Sequence, residues 1–345
     1  MTDLHSTLRR IHADLTDLGV PFALVGGLGV SDDQGAQASV DCGLVNVPAA
    51  AVSVEQASAE NVYLPMPNPL DTFATGSAQW VKDRFPGVED EAAMIYVQVP
   101  SVRVQAERRQ EGYTKAGYTW LSVDAANVTE TNWGPLIAKM KDEGAEYVTS
   151  VSSFEELVPM QKAMAAQGFS PTVTELETNF YNAKYPVLAK EQGAQVDSTY
   201  VRLTTWPFEE ADARPAMRTY LDLLEQYAPG AQPEQLGVPA FSAGLLFATA
   251  AKAAGNDLTR ERLVEELQKI HDWDAGGLHG TTDPGNDVGT SCFVMMQVTY
   301  EGFVRAYPLP DQDREVYEAG DGMACPTDAL VELEGDFGGG ADGSG

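Results

Sequence analysis

From Val81 onward, two patterns of apolar and polar positions alternate along the chain. A short apolar run predicts a strand, and the longer stretch after it, with its apolar residues on one side, predicts an amphipathic helix. A glycine then precedes the next run, as at Gly117, Gly144 and Gly168. Glycine suits this position because the residue after a helix often has a positive φ. The repeat therefore predicts successive units of one strand and one helix.

In this region we predict strands over residues 92–98, 118–123, 146–151, 171–176 and 199–203. Strands that alternate with helices form a mainly parallel sheet with helices on both faces. The pattern therefore predicts an α/β fold.

On either side of this repeat, the predicted strands and helices alternate less regularly. An apolar stripe predicts a first helix over 4–18, followed by a strand over 22–25, a helix from Gln34, a strand over 47–52 and a helix over 75–85. Toward the carboxyl end we predict helices over 211–227, 237–255 and 258–270, and a hairpin of strands 292–299 and 302–306. The glycine-rich residues 338–345 predict a flexible end.

Charge and length narrow the function classes. The 345 residues include 51 acidic and 22 basic side chains, which give a net charge of −29. Nucleic acid and anionic lipid are recognised by clustered lysine and arginine, so neither is expected as a partner. At roughly 100–200 residues per domain, the length suggests two domains.

Several features bear on the cellular location. The longest apolar stretch, 241–254, is interrupted by polar residues and predicts a buried core helix rather than a membrane span. The first residues lack the pattern of a secretory signal, so the chain as written is expected in the cytoplasm. Cys42, Cys292 and Cys325 are too few and too widely spaced for a zinc cluster. A pair between Cys292 and Cys325 is conceivable outside the cell.

Catalytic and cofactor motifs are largely missing. Gly27 and Gly29 follow a predicted strand as in a dinucleotide loop, but Asp32 occupies the place of the third glycine and would repel a pyrophosphate. No nucleophile elbow, phosphate loop or zinc-protease motif is present. A metal site at His271, His279 and the nearby aspartates is conceivable, but the glycine content favours an ordinary loop. We therefore predict no cofactor, no metal and no catalytic residue.

The loops after the strands are the expected place for a ligand, because parallel sheets bind ligands beyond the carboxyl ends of their strands. Ser31 and Ser153 both begin capping-box patterns, and the exposed amides of a helix start attract a carboxylate. Glu177, just beyond a predicted strand, is a hypothetical partner for an ammonium group. Phe154 opens a helix at the same edge, where an aromatic side chain could close over a ligand.

Taken together, the chain resembles the type I extracellular solute-binding proteins of ABC importers, in the branched-chain amino acid branch. The resemblance covers residues 4–325. It is carried by these stretches: Phe22-Ala-Leu-Val-Gly-Gly27, Asp32-Asp-Gln-Gly-Ala36, Tyr63-Leu-Pro-Met-Pro-Asn-Pro69, Trp133-Gly-Pro-Leu-Ile-Ala-Lys-Met-Lys-Asp-Glu-Gly-Ala-Glu-Tyr-Val148 and Trp273-Asp-Ala-Gly-Gly-Leu-His-Gly280.

The resemblance implies two Rossmann-like lobes with mainly parallel sheets that clamp a small solute in an interlobe cleft, without catalysis. Lobe 1 would comprise 1–86 and 209–282, lobe 2 would comprise 87–208 and 283–325, and 326–345 would be a flexible tail. It also implies a disulfide between Cys292 and Cys325. The implied ligand contacts are Gly29, Ser31, Ser53, Gln98, Ser101, Ser153, Phe154, Glu177 and Thr178.

A protein of this family would deliver an amino acid or similar solute to a membrane permease, act as a monomer and lie outside the cytoplasm. The chain resembles a member that lacks the initial strand, helix and strand of the first lobe. Residues 4–31 also resemble the opening of a minimal nucleotidyltransferase, although the two acids spaced by one residue that such an enzyme needs do not follow. The alternatives are therefore an amidase-like or nucleotidyltransferase-like enzyme, or a ligand-sensing domain that works without a transporter.

Overall fold

A computed structural model of the chain describes residues 23–337. The helix predicted over 4–18, the glycine-rich end at 338–345 and most of the nucleotidyltransferase-like segment lie outside the described residues. The chain folds as two units. Unit 1 consists of Met1–Thr72, Leu236–Thr290 and Glu334–Gly345, and unit 2 consists of Phe73–Gln235 and Ser291–Leu333.

Strands occur in both units. Among the described residues they are β1 (Ala23–Val25), β2 (Val45–Val47), β3 (Thr72–Ala74), β4 (Ala92–Val97), β5 (Trp120–Ala126), β6 (Tyr147–Val151), β7 (Val173–Leu176), β8 (Thr199–Leu203), β9 (Val294–Thr299), β10 (Gly302–Tyr307) and β11 (Leu330–Glu332). The strand predicted over 47–52 is wrong, because β2 ends at Val47. Pro48 follows it and has no amide hydrogen to donate to a neighbouring strand.

Helices separate most of these strands. The α-helices of the described residues are α1 (Asp33–Asp41), α2 (Val54–Ala57), α3 (Gly76–Arg84), α4 (Pro100–Lys115), α5 (Gly134–Glu143), α6 (Phe154–Ala166), α7 (Lys184–Gln192), α8 (Pro215–Tyr227), α9 (Gly237–Ala254), α10 (Arg260–Leu267) and α11 (Arg314–Ala319). Gly117, Gly144 and Gly168 all have the positive φ expected of residues that follow a helix.

Unit 2 is built on a seven-stranded sheet in the order β10-β9-β8-β7-β6-β4-β5. The strands from β8 to β5 pair in parallel, whereas β9 pairs antiparallel with both β8 and β10. The predicted mainly parallel α/β fold and the predicted carboxyl-terminal hairpin are therefore confirmed.

Unit 1 contains a small parallel sheet of β1 and β2. Its core joins Val45 and Val47 of β2 to Leu246 of α9 and to Leu263 and Leu267 of α10. Among the described residues, α9 is the one helix whose length and composition would suit a membrane span. Its buried side chains instead form part of this core, as predicted.

The boundaries between the units differ from the predicted lobes. Helix α3 was assigned to lobe 1, but Ala78 and Val81 pack in the same core as Tyr113 of unit 2. Residues 209–235 also belong to unit 2, where the Phe208 ring stacks on Tyr220 with a centroid distance of 6.3 Å. Residues 283–290 belong to unit 1. The tail predicted from residue 326 begins too early, because β11 pairs with β3.

The sulfur atoms of Cys292 and Cys325 form a disulfide. It joins the segment that leads into β9 to the segment that leads toward β11. Next to it, the amide of Phe293 donates to Ala324 O and the amide of Ala324 donates to Phe293 O, both at about 2.8–2.9 Å. The disulfide therefore ties the last segment of unit 2 to its sheet.

We expect the double variant Cys292→Ser/Cys325→Ser to have a lower free energy of unfolding by roughly 3–4 kcal/mol, because the bond restricts the unfolded chain. The two cysteines are separated by 33 residues. Urea unfolding followed by circular dichroism measures the change. Cys42→Ser, which removes a free cysteine, is the control and should change the stability little. Equal effects of the two variants would contradict the prediction.

Candidate functional site

The carboxyl ends of β4, β6, β7 and β8 lie along one edge of the unit 2 sheet, because these strands pair in parallel. All the predicted contact residues of unit 2 lie on the loops and helix starts that follow strands at this edge. Gln98 and Ser101 follow β4, Ser153 and Phe154 follow β6, and Glu177 and Thr178 follow β7.

At this edge, the Glu177 carboxylate is held by two arginines. Arg202 on β8 donates to Glu177 Oε2 from Nε at 3.0 Å and from Nη2 at 2.9 Å. Arg109 on α4 donates to Glu177 Oε1 from Nη2. Burial opposes the ionisation of Glu177, but the charges of Arg109 and Arg202 outweigh it and lower the pKa of this carboxyl below its ordinary value. Glu177 is therefore charged near neutral pH.

A second carboxyl group lies deeper on the same face of the sheet. Glu175 on β7 is fully buried and accepts hydrogen bonds from the hydroxyls of Tyr113 (2.8 Å) and Tyr147 (3.0 Å). Burial and then the proximity of Glu175 raise the pKa of both tyrosines, so their hydroxyls stay protonated and donate. We call Arg109, Arg202, Glu175, Glu177, Tyr113 and Tyr147 the polar network.

The two arginines bear on the hypothesis that Glu177 binds the ammonium group of a ligand. Sequence reasoning treated Glu177 as a lone acid on a loop, but both of its oxygens already accept from arginines. An ammonium group would have to compete with Arg202, whose side chain is 15% exposed, or with the fully buried Arg109. Sequence reasoning missed both arginines.

Beside Glu177, the hydroxyl of Thr178 has no hydrogen-bond partner among the described residues, although it is buried. Buried polar atoms are normally paired. Thr178 Oγ1 is therefore an unsatisfied polar atom at the strand ends, and the surrounding residues close it off from solvent.

The two predicted capping boxes have different outcomes. Ser153 precedes α6, and its amide donates to Glu156 Oε2 at 3.0 Å, which confirms the capping box there. Ser31 is not the cap of α1, which begins at Asp33 with Asp32 before it. The Ser31 side chain is exposed instead.

In unit 1, Asp32 joins the loops that follow β1 and β2. Its two carboxylate oxygens accept from the amides of Val52 (2.8 Å) and Ser53 (2.9 Å). The Ser53 hydroxyl in turn accepts from the amide of Gln56 and caps α2. Gly29 and Ser31 precede Asp32 on the same loop, so the structure brings the three predicted unit 1 residues together. Sequence reasoning noticed Asp32 as a departure from a dinucleotide loop and as part of the family resemblance, but did not predict that it joins two loops.

The metal site considered at His271 and His279 is not formed. His279 is buried, and its Nε2 lies 2.8 Å from Ser242 Oγ while its Nδ1 lies 2.9 Å from Gly280 O. His271 is exposed and pairs with Asp283 instead. Among the described residues, no group of three or more histidine, cysteine and acidic side chains could hold a metal ion. The contact of Ser242 with His279 resembles a nucleophile and its base, but both side chains are inaccessible to a substrate.

We expect Glu177→Gln to lower the free energy of unfolding by roughly 2–3 kcal/mol, because the buried Arg109 loses its counter-charge. The effect should be smaller than for a fully buried pair, since the Glu177 side chain is 24% exposed. Urea unfolding measures it, with the exposed Glu191→Gln as the matched control. A loss no greater than in the control would show that the pair adds nothing to stability.

Because His279 is buried, we expect the free energy of unfolding to depend on pH. Burial lowers the pKa of His279 to about 4 from the ordinary 6.5. The unfolded chain therefore binds more protons between these values, and stability should fall as the pH drops from 6.5 to 4, by at most about 3 kcal/mol. The melting temperature of His279→Gln should lack this part of the decline, whereas the exposed His271→Gln should keep it. Parallel profiles for wild type and His279→Gln would refute the assignment.

Comparison of the sequence with known families gives one informative match. A family model described as periplasmic binding protein matches residues 14–302. A search of curated proteins finds no match.

Solved structures with a similar fold carry related descriptions. An ABC transporter substrate-binding protein from Aeropyrum pernix has a TM-score of 0.70 and 14% identity, over 94% of this chain and 82% of that chain. A branched-chain amino acid ABC transporter from Thermus thermophilus with bound valine has a TM-score of 0.67 and 13% identity, over 88% and 81%. A leucine-binding protein from Thermotoga maritima has a TM-score of 0.64 and 15% identity, over 87% and 83%. At these identities, the similarity is one of fold.

Proposed function

We propose, since this chain belongs to the periplasmic binding protein family, that it binds a small polar organic solute and delivers it unchanged to the permease of an ABC importer. The match over residues 14–302 carries the proposal, because it includes segments of both units. An amino acid or a similar molecule is the solute we favour, since the similar solved structures include a leucine-binding protein and a transporter protein with bound valine.

In this proposal, each unit contributes residues that follow its parallel strands. Unit 1 contributes Gly29, Ser31 and Ser53, whose loops are joined by Asp32. Unit 2 contributes Gln98, Ser101, Ser153, Phe154, Glu177 and Thr178.

Further aspects follow from the same assignment. The protein acts without catalysis and outside the cytoplasm, where a binding protein meets its permease. It acts as a monomer, because a net charge of −29 makes copies of the chain repel one another.

The proposal predicts that at least one member of a panel of amino acids and small amides raises the melting temperature. A ligand that binds only the folded state stabilises it by about 2.7 kcal/mol at 100 times its dissociation constant. Thermal-shift measurements on the purified protein give this rise, and calorimetry gives the affinity. The absence of any stabilising solute in the panel would count against the proposal.

Gln98→Ala tests the location of the site. Gln98 is exposed at the end of β4, so its removal should leave the melting temperature of the free protein unchanged and weaken solute binding several-fold. Gln226→Ala, which changes an exposed glutamine on α8, is the matched control and should bind the solute normally. Equal affinities in the two variants would show that Gln98 does not contact the solute.

A further inference from the structure

Unit 2 contains a cavity of about 930 Å³ that none of the proposed solute contacts lines. Its walls come from α3, the end of β10, α11 and the segment after the disulfide. Sites for small molecules commonly have volumes of about 300–1,000 Å³. The cavity is therefore large enough for a small organic ligand.

Aromatic rings form one wall of this cavity. The Tyr307 ring packs near those of Trp80 and Phe293, with centroid distances of 5.9 Å and 5.8 Å. Trp80 and Tyr307 are half-buried, so part of each ring is accessible from the cavity. The face of an aromatic ring carries partial negative charge and attracts cations.

Two carboxylates accompany this aromatic wall. Asp83 lies on the exposed side of α3, near the end of the helix, and Asp313 directly precedes α11. Both side chains line the cavity. Burial raises the pKa of Tyr307, and the charges of Asp313 and Asp83 raise it further, which indicates that both carboxylates act on the same ring. Each carboxylate has one neutral donor, Gln79 Nε2 for Asp83 and the Leu309 amide for Asp313, both at 2.8 Å. Neither donor neutralises the negative charge.

The basic side chains of the cavity have other partners. The Arg84 guanidinium lies over the Phe85 ring, 5.7 Å from its centroid. Lys115 Nζ lies 3.7 Å from Glu111 Oε1 on the same helix. A third carboxylate, Asp328, also lines the cavity. Three carboxylates and two basic side chains therefore line the cavity, and the charges of Asp83 and Asp313 act on Tyr307.

The aromatic wall is held rigidly. A side chain at Gly76 would place its Cβ 2.7 Å from the Phe293 ring, so α3 packs too closely on the wall for any other residue. Cys325, which lines the cavity, is fixed to the residue before Phe293 by the disulfide. A rigid wall loses little conformational freedom when a ligand binds.

We propose that this cavity is a second ligand site of unit 2 that binds an organic ammonium ion, with its cationic group against Tyr307 and Trp80 and near Asp83 and Asp313. Aromatic faces combined with carboxylates suit alkylammonium groups, because these cations are large, weakly hydrated and attracted to both. The site is separate from the proposed solute contacts and does not depend on them.

Choline and its neutral isostere 3,3-dimethyl-1-butanol are the probes that test this site on the full chain. Binding is measured by saturation-transfer NMR and by calorimetry. We expect saturable binding of choline and at least tenfold weaker binding of the alcohol. Asp83→Asn/Asp313→Asn keeps both hydrogen-bond acceptors and should weaken choline binding about tenfold, with the circular dichroism spectrum unchanged.

Two controls locate the binding. Asp311→Asn removes an exposed acid outside the cavity lining and should bind choline like wild type. Gln98→Ala should also bind choline normally, which separates this site from the proposed solute contacts. Equal binding of the alcohol, an unchanged affinity in the double variant, or no saturable choline binding would each overturn the proposal.

Discussion

Unit 2 depends on the contact between α4 and the polar face of its sheet. Arg109 lies inside this contact, and a buried guanidinium is costly unless charged and polar groups surround it. Its partners Thr149 and Glu177 lie on or next to β6 and β7. These contacts hold α4 against β6 and β7, although Arg109 Nε has no hydrogen-bond partner among the described residues.

In both units, one buried or half-buried carboxylate holds together segments of the chain that follow strands. Asp32 holds the chain after β2 to the loop after β1, and Glu177 holds the end of β7 to β8 and α4. Glu177 lies directly after the buried strand β7, whereas Asp32 lies on the longer loop between β1 and α1. The loops proposed to contact a solute are thus fixed by internal charge, so little ordering remains for a ligand to impose.

Local patterns predicted the βα repeat well, because apolar runs and the glycines after helices are short-range signals. The strand 199–203 agrees with the structure at both ends. Contacts between residues that are distant in the sequence could not be predicted. Arg109 meets Glu177 from 68 residues away, so nothing near Glu177 could reveal its partners. The unit boundaries were misplaced for the same reason, since the packing of α3 on Tyr113 is not encoded in α3 alone.

The pairing of β8 with β9 has a consequence for biosynthesis. It joins Tyr200 to Gln297, and the whole of unit 1's second segment is synthesised between them. A nascent chain leaves the ribosome at about 5–20 residues per second. The edge of β8 therefore remains open for several seconds after its own translation, and an open strand edge invites association with other chains. A chaperone would be most useful during that interval.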